Sequence, residues 1–361
     1  QSWTPGTSWG NWLMRRCTRL YRPVFYYLGF WAVTLAVLRL ILRVHIYEPI
    51  AGISIQLLWF LGAYVLVLAA IPVLARITTT GRFVAAVAAV DGVIAVVDVI
   101  RIHTEQWSAL GYLNLIVWLI PGMFGVAYRR GLLSARAALR VGVTMFAANV
   151  ALLAWGPYEL SLVGIETQQL KNMSPPSLLL AGHAIMLCAL AIAAAPAITR
   201  WARRPRVWWL TVIGNSGAMT LYLWHIPALL GMHLAFDYLG YPRFDPDASN
   251  FVVLSALQLL VMAALVATAF VTLRPLENAP LPLWDGGFVA RPGLRSAAVG
   301  ILLCTAGAAT LASVGWGLKE QGLLCVAAML VALAGARTLA ARSSSHESRL
   351  SDSPTRLVPR R

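Results

Sequence analysis

Ten long apolar runs dominate this sequence, each about as long as an α-helix must be to cross a hydrocarbon core. Hydrophobic residues make up 59% of the 361 residues and charged residues only 12%, which excludes an ordinary soluble domain. The sequence therefore predicts an all-α fold, a polytopic transmembrane helical bundle of about ten spans. The runs cover approximately residues 23–42, 52–75, 83–100, 109–128, 137–155, 178–199, 207–235, 251–273, 296–316 and 321–340.

The segments that connect the apolar runs are alternately rich and poor in basic residues. Of the 29 basic residues, 23 lie in every second connection or at the two ends, and this pattern does not break across the ten runs. By the positive-inside rule, both ends are predicted to be cytoplasmic. Only two of the 29 basic residues are lysine, and alanine is abundant, which indicates a bacterial genome and hence a plasma (inner) membrane. The net charge of +15 is thus explained by topology, and we expect membrane lipids rather than nucleic acid as partners. The four cysteines and six histidines show no metal-ligand spacing, so no metal is expected.

A polar stripe runs through the seventh apolar run. If residues 207–235 form one helix, Thr211, Asn215, Ala218, Tyr222 and His225 fall on one face. An ionisable side chain inside a membrane span indicates a functional site, which makes His225 and Tyr222 candidate catalytic residues and Asn215 a candidate cavity residue. The alternative is a structural histidine that is hydrogen-bonded to a neighbouring helix.

Two further groups of charges lie near or inside the spans. Arg16 and Arg19 are one helical turn apart, so both guanidinium groups can face one polyphosphate, or they can simply anchor the chain to anionic lipid. Asp91 and Asp98 are seven residues apart and share a helical face. Such a pair can line a polar substrate cavity, lie at the interface, or relay protons in a transporter.

Four short motifs in order along residues 11–280 resemble the acyltransferase-3 family of bacterial membrane O-acyltransferases. They are the arginine motif RRCTRLYRP at 15–23, WFL at 59–61, YLWH at 222–225, and Glu277 with Pro280 in RPLENAP.

This resemblance implies an enzyme that transfers groups other than amino-acyl groups. The donor would be acyl-CoA, most simply acetyl-CoA, used as a co-substrate and not held permanently, with its phosphates on Arg16 and Arg19. The acceptor would be a hydroxyl of a cell-envelope glycolipid or polysaccharide. Tyr222 and His225 would orient the reactants or stabilise the oxyanion. Trp59 would shape the cavity wall, and Glu277, a structural residue, would pair with a cytoplasmic arginine.

The resemblance also defines segments. Residues 1–22 would form a cytoplasmic segment, and residues 23–280 would form a membrane core with eight of the family's ten spans. The two remaining spans would precede Arg15 and carry the histidine that serves as the main base, which we therefore expect outside this chain. Residues 281–341 would add two transmembrane helices, and 342–361 would form a disordered cytoplasmic tail.

The residues alone also allow a different function. A proton-coupled secondary transporter or flippase of a glycolipid would use Asp91 and Asp98 as its coupling pair. In that case the cytoplasmic arginines would contact the lipid headgroup.

Overall fold

The computed structural model describes residues 3, 6–161, 172–241, 250–286 and 292–351, with the backbone alone for 105–109 and 342–351. Across these ranges the regular elements are helices, accompanied by one isolated bridge between Met173 and Pro176. The helices are α1 (Trp9–Ile41), α2 (Val44–Ile53), α3 (Leu58–Leu74), α4 (Thr80–His103), a 3-10 helix (Glu105–Trp118), α5 (Leu119–Arg130), α6 (Ala135–Trp155), α7 (Leu178–Ala202), α8 (Pro205–Asn215), α9 (Ala218–Tyr238), α10 (Phe251–Asn278), α11 (Leu294–Val314) and α12 (Glu320–Ser351).

The predicted all-α fold with ten spans is confirmed. Among the described residues, ten helical segments are long and apolar enough to cross a membrane, and each corresponds to one predicted run. The second combines α2 and α3, and the fourth combines the end of the 3-10 helix with α5. Hydroxyl side chains cap several helices: Thr79, Ser134 and Ser177 accept from backbone N–H groups in the first turns of α4, α6 and α7.

The first helix is longer than the apolar run that predicted it. α1 begins at Trp9 rather than near residue 23, and its 33 residues extend about 50 Å. The arginine motif therefore lies on the same continuous helix as the first span. Pro23 is accommodated within α1.

The seventh run is not one helix, so the predicted continuous stripe is wrong. The chain leaves the helical conformation at Ser216 and Gly217, which separate α8 from α9. The Ser216 hydroxyl donates to the carbonyl of Ile213 at 2.6 Å, a side-chain bond that competes with helix continuation. At Gly217 an added Cβ would lie 2.4 Å from the Phe270 ring, so the break is packed tightly and a larger residue would displace this ring.

The chain divides into two compact units, and the first comprises residues 1–3 and 67–208. It contains α4, the 3-10 helix and α5 to α7. Its core consists of aliphatic and aromatic side chains from these helices, with Phe83 of α4 meeting Phe124 of α5 edge to face at 5.0 Å between ring centroids.

The second unit comprises the described residues within 4–66 and 209–361, with α1, α2 and α9 to α12. The C-terminal pair α11 and α12 is an integral part of it, because α11 packs directly on α1. Small residues allow this close approach: an added Cβ at Gly10 would lie 2.1 Å from the Ser296 carbonyl oxygen. The Ser8 and Ser296 hydroxyls also hydrogen-bond at 2.7 Å. Helix α12 continues to Ser351, into the segment predicted to be a tail, and residues 352–361 lie outside the described residues.

Candidate functional site

Tyr222 is fixed in the second unit by a bond to the turn that precedes α3. Its hydroxyl donates to the backbone carbonyl of Leu57 at 2.7 Å. Its ring lies 5.4 Å from that of Phe60, measured between centroids, on the first turn of α3. The YLWH and WFL motifs, 160 residues apart in the chain, are thus in direct contact through Tyr222. The phenol proton of Tyr222 is already used in this contact.

The neighbouring residue Trp224 fixes the same helix against α1. Its ring lies 4.8 Å from that of Phe30 and 5.9 Å from that of Tyr27. Tyr27 is itself anchored, because its hydroxyl donates to the carbonyl of Ser54 at 2.5 Å. Helix α9 is therefore held on two sides, and its rotation about its own axis is fixed.

His225 lies one turn after Tyr222 on the same face of α9. The two ring centroids are 6.1 Å apart. The imidazole is half-buried and makes no hydrogen bond to any side chain or backbone group of the described residues. Neither ring nitrogen of the imidazole is therefore occupied by a described residue.

The other predicted cavity residues of this unit differ in exposure. Trp59 is half-buried on the first turn of α3, with its ring 6.0 Å from that of Phe60. Asn215 is exposed at the end of α8, on the far side of the helix break from Tyr222, so it no longer shares a face with Tyr222 and His225.

The arginines of the motif on α1 have different environments. The Arg16 guanidinium lies over the Trp12 ring, 3.7 Å from its centroid, and also donates to the Trp12 carbonyl at 3.2 Å. Arg19 is exposed and has no hydrogen-bond partner among the described side chains and backbone groups. Arg22 is fully engaged, because it binds Asp285 with both Nε and a terminal nitrogen and donates to the carbonyl of Asn278.

Arg16 and the aromatic anchor of α9 lie at different levels of α1. Tyr27 lies eleven positions after Arg16 on α1, which corresponds to about 16 Å along the helix axis. An anion bound at Arg16 and Arg19 would therefore be far from groups near Trp224, and only an extended ligand would reach both.

Glu277 lies at the end of α10, and its described partner is Thr220 rather than an arginine. One carboxylate oxygen accepts from the Thr220 backbone N–H at 2.9 Å and from its hydroxyl at 2.7 Å. Thr220 is in the first turn of α9, so Glu277 caps the positive end of the helix that carries Tyr222 and His225.

The sequence did not identify the residues that connect α1 to the C-terminal pair. Besides binding Arg22, the segment at Trp284 and Asp285 accepts two bonds from Arg337 of α12 through its backbone carbonyls. The Trp284 indole donates to the carbonyl of Thr18 at 2.8 Å. The available signal was an isolated carboxylate, Asp285, in an arginine-rich connection.

Asp98 belongs to the first unit, where its carboxylate is saturated with donors. It accepts from the Asn114 amide at 2.9 Å, the Tyr158 hydroxyl at 3.0 Å and the backbone N–H of Leu178 at 2.6 Å, and it pairs with Arg101 at 3.3 Å. Leu178 is the first residue of α7, so Asp98 also caps that helix. Burial and the Asp98 carboxylate raise the pKa of the Tyr158 phenol, which keeps its proton and donates it to Asp98.

Asp91, two turns earlier on α4, is half-buried and differently surrounded. One of its carboxylate oxygens is buried without a hydrogen-bond partner in the described part of the chain. The two carboxylates that the sequence paired on one face therefore have unlike environments. In the ranges that the structure describes, no cluster of three or more histidine, cysteine or acidic residues could hold a metal ion.

Comparison with known proteins assigns the chain to a family. A family model described as an acyltransferase domain, Acyl_transf_3, matches residues 2–274. No curated protein and no solved structure shows significant similarity to the chain. The family match covers three quarters of the sequence and includes the arginine, WFL and YLWH motifs, and it ends before Glu277 and Pro280. With its ten membrane-length helices, the chain belongs to the Acyl_transf_3 family of membrane acyltransferases.

Proposed function

We propose that this protein is an O-acyltransferase of a bacterial plasma membrane. It moves an acyl group, in the simplest case acetyl, from acyl-CoA to a hydroxyl of a cell-envelope glycolipid or polysaccharide. The family match supports acyl transfer. The choice of site rests on His225. Its imidazole is half-buried, has no described hydrogen-bond partner, and lies beside Tyr222, which is anchored on the WFL segment.

Acyl transfer to a hydroxyl requires removal of the hydroxyl proton and stabilisation of the tetrahedral oxyanion. We assign the second task, or the orientation of the acceptor hydroxyl, to the imidazole of His225. Tyr222 contributes by position, since its bond to Leu57 fixes the face of α9 from which His225 projects.

The distance along α1 between Arg16 and Tyr27 suits an acyl-CoA donor. Its phosphates would lie at Arg16 and Arg19, and the stacking of Arg16 on Trp12 holds one guanidinium in place for them. The flexible pantetheine arm of a CoA thioester separates the phosphates from the acyl group by a distance comparable with the axial offset of about 16 Å. The acyl group would thus lie at the level of Trp224 and His225.

The test is a kinetic comparison of substitutions at the two ends of this site, made in the full-length natural protein in its membrane. His225→Gln should lower kcat for acetyl transfer at least tenfold with little change in KM for acetyl-CoA, because the imidazole acts on the reacting atoms. Arg19→Gln should raise KM for acetyl-CoA with a smaller effect on kcat, because it removes phosphate binding.

Two exposed residues of the same unit provide matched controls. His45→Gln on α2 and Arg39→Gln at the other end of α1 should leave both kinetic constants unchanged. Wild-type kcat in His225→Gln would remove this histidine from the site. An equal rise of KM in Arg19→Gln and Arg39→Gln would reduce the arginine motif to general surface charge.

A further inference from the structure

The first unit contains a cavity that the proposed acyl transfer does not use. It has a volume of about 410 Å³ and lies where the end of α5 and the start of α6 meet the last turns of α7. The lining residues include Tyr128 and Gly131 at the end of α5, Ala135 at the start of α6, and a stripe of residues along α7 (the α7 stripe). All three helices are of membrane-spanning type, so the cavity lies at the membrane surface on the arginine-rich side.

The α7 stripe changes in polarity with depth. Its members recur at helical spacing, so they form one continuous face of α7. In order from the middle of the span toward the end of α7, they are Ile192, Ala195 and Pro196, then Thr199, then Arg200 and Arg203. The eleven residue steps from Ile192 to Arg203, the C-cap of α7, extend about 16 Å along the axis. The wall is apolar in the span, carries a hydroxyl at middle depth, and ends in two guanidinium groups.

The charged end of the cavity has no anionic partner among the residues that the structure describes. Neither Arg200 nor Arg203 makes an ion pair or a side-chain hydrogen bond with any part of the chain that the structure describes. The positive end of the α6 dipole, at Ala135, faces the same cavity. The field at this end therefore favours an anion, and two arginines one turn apart suit a phosphate group.

We propose that this cavity binds an anionic phospholipid, with its phosphate between Arg200 and Arg203. The glycerol backbone would lie at the level of Thr199, and the first acyl carbons would lie against Ile192 and Ala195. A lipid matches the change of polarity along the α7 stripe, because an amphiphile places its phosphate at the arginines and its acyl chains against the apolar residues deeper in the span. A soluble phosphate would use the arginines alone.

The test measures lipid binding to the purified full chain in detergent by native mass spectrometry, with phosphatidylglycerol and phosphatidylcholine as probes. The wild type should retain phosphatidylglycerol in preference to phosphatidylcholine. The double variant Arg200→Gln/Arg203→Gln should weaken phosphatidylglycerol binding by about tenfold or more, since it removes two charge-assisted contacts. The control Arg129→Gln/Arg206→Gln removes two exposed charges that do not line the cavity and should leave binding unchanged. Equal losses in the two double variants would overturn the proposal.

A second arm separates a lipid from a soluble anion. Ala195→Trp fills the apolar part of the cavity and leaves the arginines in place. It should abolish binding of phosphatidylglycerol, whereas the wild type should bind the chain-free headgroup glycerophosphoglycerol only weakly. Displacement of the bound lipid by coenzyme A, or tight binding of glycerophosphoglycerol alone, would assign the cavity to a soluble phosphate and refute the lipid proposal. Comparing the melting temperatures of all variants identifies any that fail to fold, and the single substitutions then replace the double one.

Discussion

Replacing Asp98 by asparagine should destabilise the first unit strongly. The carboxylate is 1% exposed and accepts from Asn114, Tyr158 and the N–H of Leu178, beside the buried Arg101. Asparagine has a single acceptor oxygen, so in either orientation its amide group faces a donor that it cannot satisfy. Arg101 also loses its counter-charge. Hydrogen bonds to a charged group contribute about 1.5–3 kcal/mol each, and breaking a buried pair costs about 3–5 kcal/mol. We expect a loss of about 3–5 kcal/mol.

The assay is thermal unfolding of the purified chain in detergent, with Asp91→Asn as the matched control. Asp91 is on the same helix, and one of its oxygens has no described partner. Its replacement should therefore cost no more than about 0.5 kcal/mol. A melting temperature of Asp98→Asn equal to that of the wild type would refute the structural role of this carboxylate. Loss of proton-coupled uptake in a stable Asp98→Asn protein would favour the transporter that the sequence left open.

Three further predictions concern packing, positioning and pH. Gly10→Ala should destabilise the second unit by about 1–3 kcal/mol in the same unfolding assay, because its Cβ would meet a backbone carbonyl at 2.1 Å. The control Gly29→Ala is on the same helix and its Cβ would have no atom within 4 Å, so it should be neutral or stabilising. Tyr222→Phe should cost about 1 kcal/mol by freeing the carbonyl of Leu57 and should lower kcat for transfer, and unchanged kcat would argue against its positioning role. The raised pKa of Tyr158 means that the stability from its hydrogen bond is present below the unfolded-state pKa of about 10 and is lost as the pH rises through the higher folded-state pKa. A phenolate absorbance below pH 10 that disappears in Tyr158→Phe would contradict this.

The spans could be predicted from the sequence because a membrane imposes one requirement on every segment. Each backbone group must be bonded within its own helix, so apolar length alone locates the helices. The break at Ser216 and Gly217 was missed because helical periodicity continues through it in the sequence. What ends the helix is a local side-chain bond to Ile213 and a close contact with Phe270, and the second of these depends on tertiary packing.

The candidate site was only partly predictable for the same reason. The motifs indicated Tyr222 and Arg16, but not that the Tyr222 hydroxyl bonds Leu57 or that Arg16 stacks on Trp12. The partner of Arg22, Asp285, lies 263 positions away in the chain, beyond the reach of any local pattern. Residue spacing identifies residues that share a face, whereas partners on other helices are set by the packing of the bundle.

We propose acyl transfer to a hydroxyl at the His225 site. Its most direct test supplies radiolabelled acetyl-CoA to inside-out membrane vesicles that contain the full-length natural protein, and follows the label into the glycolipid and polysaccharide fractions. We expect alkali-labile ester label with the wild type and with His45→Ala, and at least tenfold less with His225→Ala. Alkali-stable label, or equal ester label in all three proteins, would contradict it.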